Sequence, residues 1–246
     1  MVIKMDYLNY GKQEPDERVF GKQKSSGLEN EVLKIRCYEE PFPHLIVEDF
    51  YNEKELELIW EELNFYTKPG KLLEAKDYGG VEGRTNAKAL ALDSLYLNHE
   101  KNDQPGVNYR NISNILSVNR KVFTSGILNR YASIHECCNL QCNSDITKVR
   151  YYHDNEYYEP HRDSSFQTLS FSYFYKEPKR FKGGELYFPA HNYDYSCDNN
   201  SMIIFPGWVQ HAVNRVKIKE SDYYAGLGRY AITSFVFTRH DQPKQK

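Results

Sequence analysis

The stretch that decides the fold is residues 152–163, Tyr152-His153-Asp154-Asn155-Glu156-Tyr157-Tyr158-Glu159-Pro160-His161-Arg162-Asp163. It lies between a β-rich run, Ile146 to Tyr152, and an alternating run, Thr168 to Tyr175, in which Leu169, Phe171, Tyr173 and Tyr175 share one face. His161 and Asp163 stand two apart, so on an extended chain both side chains leave the same side. Further short strand-like runs follow at 185–188, 202–205, 211–217 and 229–237, separated by Gly, Pro, Asn and Asp.

Upstream the period changes. Pro41-Phe42-Pro43 leads into an apolar strand, Leu45-Ile46-Val47. Asn52 with Glu55 three residues on reads as a helix N-terminus with reciprocal capping. Leu56, Ile59, Trp60 and Leu63 then mark one buried helical face. The stretch from Gly70 to Gly83 reads as loop. Residues 109–136 read as largely helical, with Ile112, Ile115, Leu116, Val122, Phe123, Ile127 and Ile134 on one stripe and a break at Ser125-Gly126. Helices first and many short strands after predict an α+β, mainly β chain: a two-sheet sandwich or barrel with N-terminal supporting helices. Residues 1–36 are polar and aperiodic and read as an N-terminal extension, leaving 37–240 as one domain.

Composition removes several function classes. The net charge is −2 with 32 basic and 34 acidic residues, and the pI near 6.5 argues against a nucleic-acid partner. No run of 18 apolar residues offers a membrane span. The first 20 residues have no apolar core of a secretory signal. Five cysteines, an odd number, then read as reduced thiols in a cytoplasmic protein. Twenty-one tyrosines, crowded between Tyr151 and Tyr230, suit either a core or a pocket wall.

A second histidine, His211, opens a strand after Phe205-Pro206-Gly207-Trp208. Two imidazoles and one carboxylate on neighbouring strands can hold one face of an octahedral metal and leave three positions open, as in non-haem Fe(II) oxygenases. Taken alone, His-x-Asp is a common tripeptide. Its company is more specific. Arg229 begins the strand Arg229-Tyr230-Ala231-Ile232-Thr233-Ser234-Phe235, with Thr233 on the same face. A cation pointing into a sandwich needs an anion there, and a bound dicarboxylate supplies one. The alternative is an edge-strand arginine that reaches solvent.

These residues carry a family resemblance. Tyr152-x-x-Asn155-x-x-Tyr158-x-x-His161-x-Asp163 is similar to the Tyr-x-x-Gly-x-x-Tyr-x-x-His-x-Asp segment of the prolyl 4-hydroxylase-like branch of the 2-oxoglutarate/Fe(II) dioxygenases. The resemblance continues through Thr168 to Tyr175, Phe181-Lys182-Gly183-Gly184-Glu185-Leu186, Ile203-Ile204-Phe205-Pro206, His211-Ala212-Val213 and Gly228-Arg229. It includes Pro41 to Phe50 as an entry strand, and so covers about 38–238. It implies a double-stranded β-helix, or jelly roll. It implies Fe(II) on His161, Asp163 and His211, 2-oxoglutarate anchored by Arg229 with Tyr173, Tyr152 and Thr233 near it, O₂ as oxidant, and ascorbate as an accessory reductant. The expected reaction hydroxylates an unactivated C–H bond and releases succinate and CO₂. Asp163 favours hydroxylation, because halogenating relatives lack this carboxylate. The substrate reads as a peptide or protein, with a peptidyl proline as the family's best-known choice, or as a free amino acid or other small metabolite. The stretches 64–108 and 189–200 are expected to shape that choice.

Three departures stand out. Asn155 replaces a glycine, although Asn tolerates a left-handed backbone. Lys219 to Leu227 reads as an insertion, which makes Arg215, Lys217 and Lys219 competitors for the carboxylate. Ala231 stands where relatives often carry serine. The rival readings are a zinc hydrolase with the same ligands and a non-enzymatic jelly-roll module. His135, Cys137, Cys138 and Cys142 lack zinc spacing. Trp208 is expected in the core near the site, and Lys176, Lys179, Arg180 and Lys182 on a solvated hairpin. Oligomeric state is not legible.

Overall fold

The computed structural model describes residues 33–68, 70–78, 80, 83–93, 112–138 and 142–238. The extension up to residue 32, residues 94–108 of the 64–108 stretch and residues 109–111 of the 109–136 stretch lie outside the described residues.

The chain enters with β1 (Lys34–Tyr38), which crosses the expected boundary at 36, and pairs antiparallel with β2 (His44–Glu48). Helix α1 (Glu53–Tyr66) follows. Asn52 accepts from the Glu55 N–H at 2.9 Å, and the Glu55 carboxylate accepts from the Asn52 N–H at 2.9 Å, so two otherwise unpaired amides are satisfied. Ile59 and Leu63 are buried from this helix, with Leu56 and Trp60 packed partly against the same core. The stretch read as loop contains a single helical turn, α2 (Ala75–Tyr78), which buries Tyr78. Strand β3 (Lys88–Ala91) comes next.

The 109–136 region is not one helix. It is α3 (Asn114–Asn119), α4 (Lys121–Thr124) and α5 (Ile127–Ala132), broken at Ser125-Gly126, where Gly126 has φ 79°. Ile115, Leu116, Val122 and Ile127 are buried as the stripe predicts, but Ile112 is exposed because it precedes the first turn. Buried Glu62 ties α3 to α1 by accepting from Ser113 Oγ and the Ile115 N–H.

The remaining strands are β4 (Ser144–Tyr152), β5 (Tyr158–His161), β6 (Thr168–Phe174), β7 (Phe181–Lys182), β8 (Leu186–Phe188), β9 (Tyr193–Tyr195), β10 (Ser201–Pro206), β11 (His211–Val213), β12 (Lys217–Ile218) and β13 (Arg229–Phe237). A seven-stranded sheet runs β1-β2-β10-β6-β13-β4-β3, and a four-stranded sheet runs β5-β11-β8-β9. Their antiparallel pairing makes the jelly roll. The 189–200 segment is therefore partly an edge strand.

Period-two alternation builds two cores from the large sheet. Phe171, Tyr173, Ile203, Phe205, Ala231 and Phe235 face the small sheet. Phe174, Met202, Ile204, Tyr230 and Ile232 face the helices. Burying each large apolar side chain contributes about 1.5–3 kcal/mol. A one-residue slip would send Arg229 to the helix side and Tyr230 into the site, so both cores hold the register.

Candidate metal centre and co-substrate pocket

His161 ends β5 and His211 begins β11, and these two residues are register partners across the small sheet. Asp163 follows β5 in a loop whose Asp163 N–H donates to the Gly207 carbonyl at 2.9 Å. Gly207 allows this approach, since a Cβ there would lie 2.7 Å from the Asp163 carbonyl oxygen. The Asp163 Oδ2 lies 3.6 Å from His211 Nε2 and 3.9 Å from His161 Nε2. One donor atom from each residue falls within 4.8 Å of the others, and this is the only such cluster among the described residues.

The imidazoles are oriented from behind. His161 Nδ1 lies 2.8 Å from the Glu159 carbonyl and His211 Nδ1 lies 3.0 Å from the Val209 carbonyl. Each Nδ1–H donates there, which leaves the Nε2 lone pairs directed at Asp163. Burial, and then the neighbouring His211, push the His161 pKa down to about 4, so this ring is neutral at pH 7. Burial opposes ionisation of Asp163, yet His211, His161 and Arg150 hold its pKa below the usual carboxylate range. His211 Nε2 is buried without a hydrogen-bond partner. Two imidazole nitrogens and one carboxylate fit a divalent cation.

On the facing large sheet stands Arg229, 2% exposed. Its guanidinium carbon lies 4.8 Å from the Tyr152 ring centroid and 4.5 Å from that of Tyr173, and its sole hydrogen bond among the described residues is to Cys197 Sγ at 3.7 Å. No carboxylate among the described residues pairs with it. Arg229 Nε, Tyr173 Oη and Thr233 Oγ1 are all buried without hydrogen-bond partners among the described residues. Burial raises the Tyr173 and Tyr152 pKa values, so both phenols stay protonated. Unpaired buried donors around a buried cation fit an anionic ligand with several acceptor oxygens. The competitors point elsewhere: Arg215 donates to the Asn155 carbonyl over the Tyr157 ring, and Lys217 bonds the Asn155 side chain, both in exposed contacts.

The sequence model of the 2OG-Fe(II) oxygenase superfamily matches residues 147–237, which include all three donors and Arg229. The chain is similar to the 2OG-Fe(II) oxygenase superfamily over those residues, and its fold is prolyl-4-hydroxylase-like. Among solved structures, a Pseudomonas putida prolyl-4-hydroxylase is 13% identical, covering 80% of this chain and 93% of that one at TM-score 0.54. A Trichoplax adhaerens prolyl hydroxylase, solved with a hypoxia inducible factor peptide fragment, is 14% identical, covering 79% and 83% at TM-score 0.55. A Burkholderia pseudomallei oxidoreductase of the 2OG-Fe(II) oxygenase family is 10% identical, covering 80% and 85% at TM-score 0.50. At such identities the likeness is one of fold. No curated protein matches the sequence.

Other parts of the chain depart from expectation or were not legible. Trp208 is 49% exposed, not core, because the turn before β11 turns it outward. Asn155 does adopt a left-handed φ of 63°, and its N–H donates to the Val216 carbonyl. In the 219–227 insertion, Asp222 accepts two bonds from Arg180, and Tyr223 donates to Asp154. Gly184, with φ 78°, gives Arg229 its space: a Cβ there would lie 2.8 Å from Arg229 Cδ. Sequence reasoning missed Cys197, Tyr78, buried Arg150 and half-buried Lys148, although the Lys148-Val149-Arg150 alternation was a signal that two cations share a face.

Proposed function

We propose that the protein is a 2-oxoglutarate-dependent Fe(II) hydroxylase, with Fe(II) held by His161, Asp163 and His211 and the distal carboxylate of 2-oxoglutarate held by Arg229. The observation that carries this reading is a buried guanidinium with no acid partner among the described residues, beside unpaired buried hydroxyls, on the large sheet whose inner face meets the small sheet that carries His161 and His211. Bound Fe(II) and 2-oxoglutarate supply, with O₂, the oxidation that hydroxylates a substrate C–H bond and yields succinate and CO₂. The chain orients and shields that chemistry. The carbonyls of Glu159 and Val209 fix the imidazole tautomers. Tyr173 and Thr233 donate to the carboxylate on Arg229, and Tyr152 covers the guanidinium face. Asp163 fills the position that favours hydroxylation over halogenation. A peptide or a small molecule both suit the fold's relatives. Ascorbate is an accessory reductant in this reading. No helix among the described residues is long and apolar enough to cross a membrane, and free thiols at all five cysteines suit the cytoplasm.

The test is O₂-dependent succinate release from 2-oxoglutarate by Fe(II)-loaded protein without added substrate. The reading predicts slow release that is lost in His161→Ala. No release, together with tight zinc binding and zinc-dependent hydrolysis, would favour the hydrolase instead.

A further inference from the structure

Two more cations occupy the inner face. On β4, Lys148, Arg150 and Tyr152 share a face, and their register partners on β13 are Thr233, Ala231 and Arg229. Arg150 is 6% exposed. Among the described residues its sole hydrogen bond runs to Tyr78 Oη at 3.2 Å, and Tyr78 Oη in turn donates to the Ala87 carbonyl. Its guanidinium carbon lies 5.4 Å from the Tyr158 ring centroid, and that ring stacks on His161 at 3.9 Å and 17°. Arg150 is therefore one aromatic ring removed from a metal ligand. Both of its register partners are alanines, Ala231 and Ala89, so no polar cross-strand neighbour faces the guanidinium there. Lys148 Nζ bonds the Tyr78 carbonyl at 3.3 Å and lies 4.9 Å from the Phe235 ring centroid. Neither cation makes a contact ion pair with a carboxylate among the described residues, and Asp163 acts on both only through space. Burial and then Arg150 press the Lys148 pKa down to about 8.

Charge balance points to what is missing. Fe(II), Asp163, Arg229 and dianionic 2-oxoglutarate together are neutral. Arg150 and Lys148 then leave the low-dielectric interior positive, and such charge is retained where a ligand neutralises it. We propose that Arg150 and Lys148 form the anion-recognition end of the primary-substrate pocket, and that the substrate carries a carboxylate close to the carbon that is hydroxylated. This rests on the hydroxylase reading for the role of the site. The carboxylate belongs either to a small carboxylic acid, including a free amino acid, or to an acidic residue in a peptide.

The test titrates matched probes into anaerobic protein loaded with Fe(II) and 2-oxoglutarate, with binding followed by calorimetry. One set pairs N-acetyl amino acids with their amides. A second pairs end-blocked peptides containing glutamate with the same peptides containing glutamine. The proposal predicts that acids of at least one set bind at least tenfold tighter than their neutral partners. Arg150→Gln should abolish that preference while changing 2-oxoglutarate affinity less than twofold. Arg150→Lys should keep much of the preference, which separates lost charge from lost folding. The set that responds identifies the source of the carboxylate. Equal binding of acids and neutral partners, or no binding of either at millimolar concentration, would overturn the proposal. So would an Arg150→Gln variant that weakens 2-oxoglutarate and spares the acid preference, since Arg150 would then serve the co-substrate. Loss of 2-oxoglutarate binding by the wild type would instead overturn the hydroxylase reading, and the probe pairs can still be compared on metal-free protein.

Discussion

Arg229→Met should separate function from stability in a way that an ordinary core residue cannot. In the ligand-free protein the guanidinium is buried against two phenol rings and a thiol, with its Nε unpaired. The two ring contacts contribute about 0.5–2 kcal/mol each. Burying a cation without an acid partner costs several kcal/mol. Methionine fills much of the same space without a charge. The ligand-free variant should therefore match the wild type or exceed it by about 1–2 kcal/mol. Its co-substrate binding should collapse, since a charge-assisted bidentate contact contributes about 3 kcal/mol or more, roughly a 100-fold change in Kd. The assay is urea unfolding with and without 2-oxoglutarate at a fixed divalent metal concentration. At 100 times Kd the wild type should gain about 2.7 kcal/mol, and the variant should gain almost nothing. A variant destabilised by 3 kcal/mol that still responds to 2-oxoglutarate would refute the reasoning.

Three further outcomes follow from the same geometry. Tyr173→Phe removes an unpartnered buried hydroxyl, so calorimetry should show roughly tenfold weaker 2-oxoglutarate binding with ligand-free stability unchanged or raised by about 1 kcal/mol. Gly184→Ala forces a Cβ to within 2.8 Å of Arg229 Cδ at a φ of 78°, whereas Gly126→Ala meets nothing within 4 Å at a similar φ. Both should lose about 1–2 kcal/mol on unfolding, but only Gly184→Ala should also weaken 2-oxoglutarate. Burial holds the His44 pKa at about 4, below its unfolded value of 6.5, so the unfolded chain takes up the proton first. The stability from neutral His44 is fully present above pH 6.5 and is lost as pH falls toward 4, by about 2 kcal/mol at pH 5. His44→Phe should make the decline between pH 7.5 and 5 shallower by about that amount in urea titrations.

Much of this fold is written in local pattern. Alternation at Leu169, Phe171 and Tyr173 and at Arg229, Ala231 and Thr233 decides which face meets the small sheet, because a strand has only two sides. The capping pair Asn52 and Glu55 marks the start of α1 through hydrogen bonds three residues apart. His161 and Asp163 are local too, and His211 required only a strand start. What local pattern does not carry is partnership across strands. Arg150 reads as one polar residue in a strand until its neighbours prove to be alanines and its face proves to be the interior. Trp208 reads as core by its chemistry, but a turn decides its direction. Cys197 reaches Arg229 from a segment 32 residues away. The short turn α2 was hidden among glycines because tertiary burial of Tyr78, not helix propensity, holds it.

The most direct test of the central claim is anaerobic titration of the metal-free protein with Fe(II) and then 2-oxoglutarate, following the visible charge-transfer absorption of a keto-acid chelate. The account predicts a band that saturates at one 2-oxoglutarate per chain, vanishes in His161→Ala and requires far more 2-oxoglutarate in Arg229→Met. Absence of a band in the wild type, or an undiminished band in both variants, would contradict it.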